Sequence, residues 1–260
     1  MSGAAPSALT PHQVAHIFLT PQRGKAKPPE VLPAGARTLS LPFEQGSIAA
    51  WEWGEGPTVL LVHGWQGTHA DLEHFVQPLV DAGYRAVGLD LPGHGASSGK
   101  LAPIPLLARA VQHVSDAVGP LHGIVAHSIG CAATVTALTR GLQASRVVLL
   151  ASPSSYRNQA KLIARMANMD RAKWPEFEAE LNALGSELGE IDFFAMARLL
   201  TMPALVMHSD DDQMLAMENA RDATALWKGA IFRQLSGLGH WKLLADPGVI
   251  ADVVAFLKNQ

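Results

Sequence analysis

Cysteine and basic clusters are both scarce in this chain of 260 residues. A single cysteine, Cys131, excludes an intrachain disulfide framework and fits a reducing compartment. The 20 Lys and Arg residues are balanced by 23 Asp and Glu residues and form no basic run. Because nucleic acid binding needs a positive stripe that neutralises phosphates, no nucleic acid partner is expected.

Long hydrophobic runs are lacking as well. The longest, such as 59–62 and 147–151, are far too short to span a bilayer, and residues 1–20 lack the features of a secretory signal. Hydrophobic residues nevertheless make up 48% of the chain, which is ample material for a core. We therefore expect a soluble, cytoplasmic protein without a membrane partner, and the sequence leaves its oligomeric state open.

Two segments stand apart from the rest of the chain. Prolines punctuate residues 1–35, which predicts a leader arm, mobile or wrapped on the surface, with room for one short helix around 12–19. Residues 153–202 separate two predicted strands and show helical spacing at 156–169, 174–184 and 191–200. A crossover usually needs only about a dozen residues, so this stretch predicts a helical cap. Residues 36–152 and 203–260 then form the core.

The core shows eight short β-rich runs, at 37–42, 47–53, 58–62, 85–89, 122–127, 146–151, 203–208 and 231–235. Stretches with helical spacing lie between the later runs, at 71–82, 104–118, 129–142, 215–227 and 247–258. The first two runs predict a hairpin that turns near 44–47, where Gly46 can take a positive φ. The later runs are continuously apolar, which is typical of strands buried in a mostly parallel sheet. The pattern predicts an α/β fold with helices on both faces.

The sharpest motif is the pentapeptide 126–130, Ala-His-Ser-Ile-Gly. It follows a buried strand and opens a helix of small residues, which is the setting of a nucleophile elbow that holds Ser128 in a strained turn. Ala126 replaces the usual first glycine. The alternative interpretation is that Ser128 only caps the helix.

Loops after other predicted strands bring further candidates to the same edge of the sheet. Loop 63–67 follows the strand at 58–62, and the backbone N–H groups of Trp65 and Ile129 would form an oxyanion hole; the alternative is an ordinary Gly-rich loop. The loop at 90–97 is predicted to be rigid because of its glycines and proline. After the last strand, His240 and its neighbour Trp241 arrive at this edge.

An acid is supplied by the segment that follows the strand at 203–208. Asp210, Asp211 and Asp212 are all candidates. A serine hydroxyl needs a base within hydrogen-bonding distance, and a carboxylate must hold that base in the correct tautomer. The order Ser128, acid, His240 is that of serine hydrolases of the elbow type.

Together these motifs resemble the α/β-hydrolase superfamily, and more narrowly the small bacterial serine carboxylesterases with a helical cap. The resemblance covers residues 37–258 and implies an eight-stranded, mostly parallel sheet with Ser128 as nucleophile and His240 as base. In that family the acid lies four residues after a histidine that ends the preceding strand, usually in the pattern His-Gly-x-x-Asp. This selects Asp212, with Ser209 in place of the glycine, and leaves Asp210 as the next candidate.

The resemblance also bounds the chemistry. Epoxide hydrolases and haloalkane dehalogenases of this fold carry an aspartate at the elbow, so Ser128 excludes their reactions. The expected function is a serine carboxylic ester hydrolase that acts on small to medium acyl esters through an acyl-enzyme intermediate. No cofactor and no metal is expected, and Trp241 is predicted to contact the substrate. The open alternatives are an acyltransferase, a lactonase, a carbon–carbon bond hydrolase, or a non-catalytic binding protein of this fold.

Overall fold

A single eight-stranded sheet organises the computed structural model, which describes residues 9–22, 35–189 and 191–258. The strands are β1 (Arg37–Phe43), β2 (Gly46–Trp53), β3 (Thr58–Val62), β4 (Arg85–Leu89), β5 (Leu121–His127), β6 (Ala144–Leu150), β7 (Ala204–Ser209) and β8 (Ala230–Leu235). Their spatial order is β1-β2-β4-β3-β5-β6-β7-β8. β2 runs antiparallel to β1 and β4, and the other neighbouring strands are parallel. The predicted α/β fold with a mostly parallel eight-stranded sheet is confirmed.

Helices flank this sheet. The α-helices within the described residues are α1 (Pro11–Leu19), α2 (Glu73–Asp81), α3 (Ile104–Val118), α4 (Ile129–Thr139), α5 (Tyr156–Met166), α6 (Trp174–Ala183), α7 (Phe193–Ala197), α8 (Met217–Thr224) and α9 (Pro247–Lys258). The predicted helices at 104–118 and 247–258 match α3 and α9 at both ends. The predicted helix at 71–82 begins instead with the short 3-10 helix His69–Leu72 and continues as α2.

The hairpin between β1 and β2 turns where the sequence predicts, but the assignment of the positive φ to Gly46 is wrong. Glu44 takes that conformation, with φ of 50°, and Gly46 is the first residue of β2. A Cβ atom on Gly46 would lie 2.4 Å from Cβ of Ser98. Glycine is therefore required here by the close approach of the loop after β4 rather than by the turn itself.

The sheet separates two apolar cores. Consecutive residues of β5, Ile124 and Val125, are both fully buried but belong to different cores. One core lies beneath α3 and α4, and the other lies beneath α2 and α9. Burial on both faces explains why the strands read as continuous apolar runs instead of alternating ones. Because β3, β5, β7 and β8 all run in the same direction, their carboxyl ends share one edge of the sheet.

Helices α5, α6 and α7 occupy the stretch between β6 and β7, and α1 packs against α5 and α6. Val14, Ala15 and Leu19 of α1 are buried in a third core together with Phe177 of α6. The carbonyl oxygen of Leu19 also accepts a hydrogen bond of 2.8 Å from the N–H of Ala102. The division of the chain into an arm, a core and a cap stays a prediction.

We expect the contact of α1 to stabilise the whole domain. Leu19 is 1% exposed, so Leu19→Ala should lower the free energy of unfolding by about 2–5 kcal/mol. Ile17 on the same helix is 53% exposed, and Ile17→Ala should change it by less than about 0.5 kcal/mol. Urea denaturation of the two variants is the measurement, and equal midpoints would contradict this account.

Candidate active site

Ser128 sits at the sharp turn between β5 and α4. Its backbone has φ of 51° and ψ of −124°, a conformation that L-residues adopt only under strain. Gly130 explains how the turn can be so tight: a Cβ atom there would lie 2.5 Å from the carbonyl oxygen of His63. The strand, turn and helix that the pentapeptide predicts are therefore present. The serine is held at the amino end of α4, where the helix dipole favours negative charge.

Three candidate side chains from distant parts of the chain meet at this turn. Nε2 of His240 lies 3.1 Å from Oγ of Ser128, and Nδ1 of His240 lies 2.8 Å from Oδ2 of Asp212. A carboxylate only accepts hydrogen bonds, so Nδ1 carries the ring proton and Nε2 presents its lone pair to the hydroxyl. In this arrangement a proton can pass from Ser128 to His240 without any change of tautomer.

Asp212 is surrounded by donors. Oδ2 accepts from His240 and from His208, and Oδ1 accepts from the backbone N–H groups of Met214 and Leu215. Burial acts to raise the pKa of Asp212, but these hydrogen bonds outweigh it and hold the pKa well below its ordinary value. The carboxylate therefore stays ionised and fixed in orientation.

The two other acidic candidates do not reach His240. Asp210 accepts hydrogen bonds from Gln234 and Ser236 at the end of β8. Asp211 accepts from the hydroxyl of Ser209 and, at 3.0 Å, from the N–H of Gly239. Of the three candidates, Asp212 is thus the one that the fold brings to the imidazole.

Ser209, which stands at the glycine position of the pattern His-Gly-x-x-Asp, has contacts of its own. Its hydroxyl donates to Asp211 and accepts a hydrogen bond of 3.2 Å from the N–H of Leu238. Leu238 lies in the loop that carries His240. The substitution of serine for glycine therefore adds a contact between the segment that carries the acid and the loop that carries the histidine.

One predicted oxyanion-hole residue, Ile129, directly follows Ser128, and the other, Trp65, follows Gly64, which packs against Ser128. Ile129 is the first residue of α4, whose initial N–H groups have no acceptor within the helix. Trp65 lies in the turn after β3 that is closed by the hydrogen bond from Gly67 N–H to Gly64 O. Gly64 packs closely, since a Cβ atom on it would lie 3.0 Å from Cβ of Ser128. The oxyanion role of Trp65 and Ile129 stays a prediction.

Trp241 lies beside the histidine, as its position in the sequence requires. Its ring stands edge-on to that of His240 at a centroid distance of 5.2 Å. The residue is open to solvent, with 46% of its surface exposed. An exposed indole next to the site offers an apolar surface to an arriving molecule. Its role in binding a substrate stays a prediction.

A small cavity of about 30 Å³ lies between α4 and the helices that follow β6. Its lining is almost entirely apolar and includes Ile104, Ile129, Ala132, Val135, Phe193 and Met196. The lining includes Ile129, the residue that follows Ser128, but not Ser128 or His240. Such a volume has room for roughly two water molecules.

Four buried histidines and an aspartate near the site received no role from the sequence alone. His63 directly follows β3, His127 ends β5, and His208 is the last residue but one of β7. His94 lies in the loop after β4. His63 donates from Nδ1 to the carbonyl oxygen of Gly64, and its Nε2 accepts from the N–H of Leu91. The signal was available for three of these histidines, because His63, His127 and His208 stand at or next to the carboxyl end of a predicted strand.

Asp90 is the buried aspartate, and it joins two of the loops at this edge. Its carboxylate accepts from the backbone N–H and Nδ1 of His69 and from the N–H of Ala96, at 2.8–2.9 Å. The ring of His69 stacks on Trp51. Burial acts to raise the pKa of Asp90, but the hydrogen bonds from His69 and the nearby histidines hold the pKa below its ordinary value.

A lowered pKa in the folded state makes Asp90 stabilising above its unfolded pKa of about 3.9, and this contribution is lost as pH falls through the folded pKa. Asp90→Asn should therefore reduce the free energy of unfolding by about 1–3 kcal/mol at pH 7, and the difference should shrink below about pH 4. Urea unfolding at pH 7, 5 and 3.5 measures it. The exposed control Asp116→Asn should stay near wild type, and a gap for Asp90→Asn that is independent of pH would contradict the assignment.

Cys131 follows Ser128 closely but has no reactive surroundings. Its thiol is fully buried and donates to the carbonyl oxygen of Ala126 at 3.2 Å. Burial raises the pKa of the Cys131 thiol far above its ordinary value. Cys131 therefore packs as a small apolar residue, and burial disfavours the thiolate that a reactive cysteine requires.

The described residues, 9–22, 35–189 and 191–258, hold no group of three or more His, Cys, Asp or Glu side chains that could bind a metal ion. In the same ranges, no helix has both the length and the apolar character needed to cross a bilayer.

Comparison with known proteins adds a family. Residues 59–253 match the model of the alpha/beta hydrolase family. The matched stretch includes most of the chain and contains Ser128, Asp212 and His240.

The individual relatives have low sequence identity with this chain or match only part of it. The chain is similar to a non-heme haloperoxidase of Rhodococcus erythropolis, at 23% identity over 80% of this chain and 94% of the relative. It is 33% identical to the serine hydrolase-like protein of Homo sapiens over 35% of this chain and 48% of that relative.

Solved structures share the architecture at low identity. A hydrolase from Pseudomonas aeruginosa has a TM-score of 0.70 at 19% identity and covers 87% of this chain and 100% of its own. An esterase from Exiguobacterium antarcticum has a TM-score of 0.67 at 17% identity and covers 82% of this chain and 96% of its own. At these identities the likeness is one of fold, and the chemistry must be argued from the site.

Proposed function

Because the chain belongs to the alpha/beta hydrolase family, we propose that it is a serine hydrolase that cleaves small to medium carboxylic esters through an acyl-enzyme intermediate. The observation that carries the proposal is the distance of 3.1 Å between Nε2 of His240 and Oγ of Ser128. A serine hydroxyl is a weak nucleophile at neutral pH, and a neutral imidazole at hydrogen-bonding distance supplies the base that it needs. Asp212 fixes the tautomer in which that base can act.

Acylation begins when Oγ of Ser128 attacks the ester carbonyl carbon and its proton moves to Nε2 of His240. The negative charge on the carbonyl oxygen is stabilised by the N–H groups of Trp65 and Ile129. The tetrahedral intermediate then collapses. The bond from carbon to the alcohol oxygen breaks, His240 returns its proton to that oxygen, and the alcohol leaves.

Deacylation repeats these steps with water as the nucleophile. His240 takes a proton from the attacking water, and a second tetrahedral intermediate forms on the acyl carbon. When it collapses, the bond to Oγ of Ser128 breaks and His240 protonates that oxygen. The carboxylic acid is released and the original protonation states are restored.

The small cavity next to Ile129 bounds the acyl group. We assign it to the acyl chain because its lining is apolar and includes Ile129, the residue that follows the nucleophile. Room for roughly two water molecules suits a short acyl chain. The exposed face of Trp241 is then left for the alcohol part of the ester.

Enlarging this cavity should shift the chain-length preference. Met196→Ala removes a lining side chain, and we expect the optimum among p-nitrophenyl esters to move about two carbons longer, with a lower kcat/KM for the acetate. Met166→Ala is the matched control, since Met166 is 70% exposed and does not line the cavity. If both variants keep the wild-type optimum, the acyl chain binds elsewhere.

The experiment that tests the proposal combines turnover with covalent labelling. Wild-type protein is assayed on p-nitrophenyl esters from acetate to palmitate, and a fluorophosphonate adduct is mapped by peptide mass spectrometry. Hydrolysis of the short esters with the adduct on Ser128 supports it. A labelled Ser128 without ester hydrolysis favours acyl transfer, a lactone or carbon–carbon cleavage, and the absence of both labelling and turnover favours a binding protein.

A further inference from the structure

His127 directly precedes Ser128, and no step of the proposed mechanism uses it. Its ring is fully buried, with its centroid 4.9 Å from that of His240. Nε2 of His127 lies 2.9 Å from the backbone carbonyl oxygen of His240, across 113 residues of sequence. A carbonyl oxygen only accepts hydrogen bonds, so Nε2 of His127 carries the ring proton and donates it.

The other ring nitrogen of His127 confirms this tautomer. Nδ1 is buried and has no hydrogen-bond partner within the described part of the chain. Gly64 lies against it, and a Cβ atom on Gly64 would be 2.7 Å from Nδ1. A second ring proton would therefore have no acceptor. Burial and the neighbouring His240 lower the pKa of His127 to about 3, so no second positive charge opposes the imidazolium that His240 forms during the reaction.

The loop at 237–241 needs support at both ends. Gly237 and Gly239 both have positive φ, which gives this loop more backbone freedom than other residues would allow. On its amino-terminal side, the N–H of Gly239 donates to Asp211. On the carbonyl side of His240, the described residues offer the side chain of His127 as the donor.

We propose that His127 is a positioning residue for the base. Its Nε2–H holds the carbonyl group of His240, and through it the imidazole, at hydrogen-bonding distance from Ser128. The proposal rests on the proposed function, because it assigns the support of a base to a neighbour of the nucleophile. It predicts that losing the hydrogen-bond donor at this position lowers kcat more than losing the aromatic ring does.

Three substitutions distinguish the effect of the hydrogen-bond donor from the effect of the aromatic ring. His127→Phe keeps a buried ring but has no donor. His127→Gln places an amide N–H near the position of Nε2, whereas His127→Asn places its amide near the position of Nδ1, too far from the carbonyl of His240. Gln and Asn thus form a matched pair that differs in reach and shares its chemistry.

We expect His127→Phe and His127→Asn to lower kcat on p-nitrophenyl butyrate by about 10- to 100-fold, since small displacements of a catalytic group are costly. KM should change by less than about twofold, because no substrate contact is lost. His127→Gln should recover most of the rate. The rate of Ser128 labelling by the fluorophosphonate should follow the same order.

A second readout does not depend on turnover. The proton that His240 donates to Asp212 gives a downfield proton NMR signal. Its line width reports how fast this proton exchanges with solvent, and the exchange is faster when the ring is held less firmly. We expect a sharp signal in wild type and His127→Gln, and a broadened one in His127→Phe and His127→Asn. A merely structural role would instead change the melting temperature of all three variants without this pattern.

The outcomes are distinguishable. If wild type neither labels at Ser128 nor turns over an ester, the proposed function fails, and the NMR comparison still decides the positioning role. An unchanged signal and rate in His127→Phe would overturn the positioning role, as would a His127→Gln variant that behaves like His127→Asn.

Discussion

Ser128→Ala should lower kcat on p-nitrophenyl butyrate by at least about a thousandfold, because the variant retains the binding surfaces but has no nucleophile. The hydrogen bond of the serine hydroxyl is with His240, so we expect the variant to remain folded when this bond is lost. The measurement is steady-state turnover at saturating ester, with the melting temperature as the check on folding.

The control for this variant is a serine near the site that takes no part in the chemistry. Ser152 is buried after β6, and its hydroxyl donates to the carbonyl of Pro153. Ser152→Ala should keep kcat within about fivefold of wild type, since this hydroxyl does not reach the reacting atoms. Substantial turnover by a folded Ser128→Ala variant would rule out Ser128 as the nucleophile.

Asp212→Asn should reduce kcat by about 10⁴-fold, although it replaces only one side-chain oxygen by nitrogen. The amide would donate to His240 where the carboxylate accepts, so the ring proton would move to Nε2. A protonated Nε2 cannot accept the proton of Ser128. The imidazole would remain in place with the wrong tautomer, and KM should change little.

The neighbouring aspartates provide matched controls for this prediction. Asp210→Asn leaves His240 untouched, because Asp210 bonds to Gln234 and Ser236, and we expect kcat within about threefold of wild type. Asp211→Asn retains an oxygen that can accept from Gly239, so its loss should stay below about tenfold. A larger loss in Asp210→Asn than in Asp212→Asn would transfer the role of the acid to Asp210.

The elbow and the order of the site residues could be predicted because each is a local pattern at the end of a strand. The turn at Ser128 depends on residues within four positions, including the glycine that avoids the carbonyl of His63. The parallel sheet then brings the strand ends together at one edge, so no further sequence motif is needed. The choice of Asp212 over its two neighbours depended on the resemblance to a family, because spacing alone left all three aspartates open.

Contacts between distant segments could not be predicted. The hydrogen bond from His127 to the carbonyl of His240 joins residues 113 positions apart, and no local pattern encodes it. The turn before β2 shows the same limit: local preference assigned the positive φ to Gly46, whereas the contact with Ser98 decided why glycine stands there. Side-chain packing between loops settled both cases.

The position of α1 also has a consequence for the order of folding. Its buried face packs with Phe177 of α6, which lies about 160 residues further along the chain than Leu19. At about 5–20 residues per second, a ribosome needs roughly 8–30 s to synthesise that interval. During this time the apolar face of α1 lacks its contact with α6, and part of its core, including Ile104, is already on the nascent chain. The packing of α1 is therefore completed only after α6 has been made.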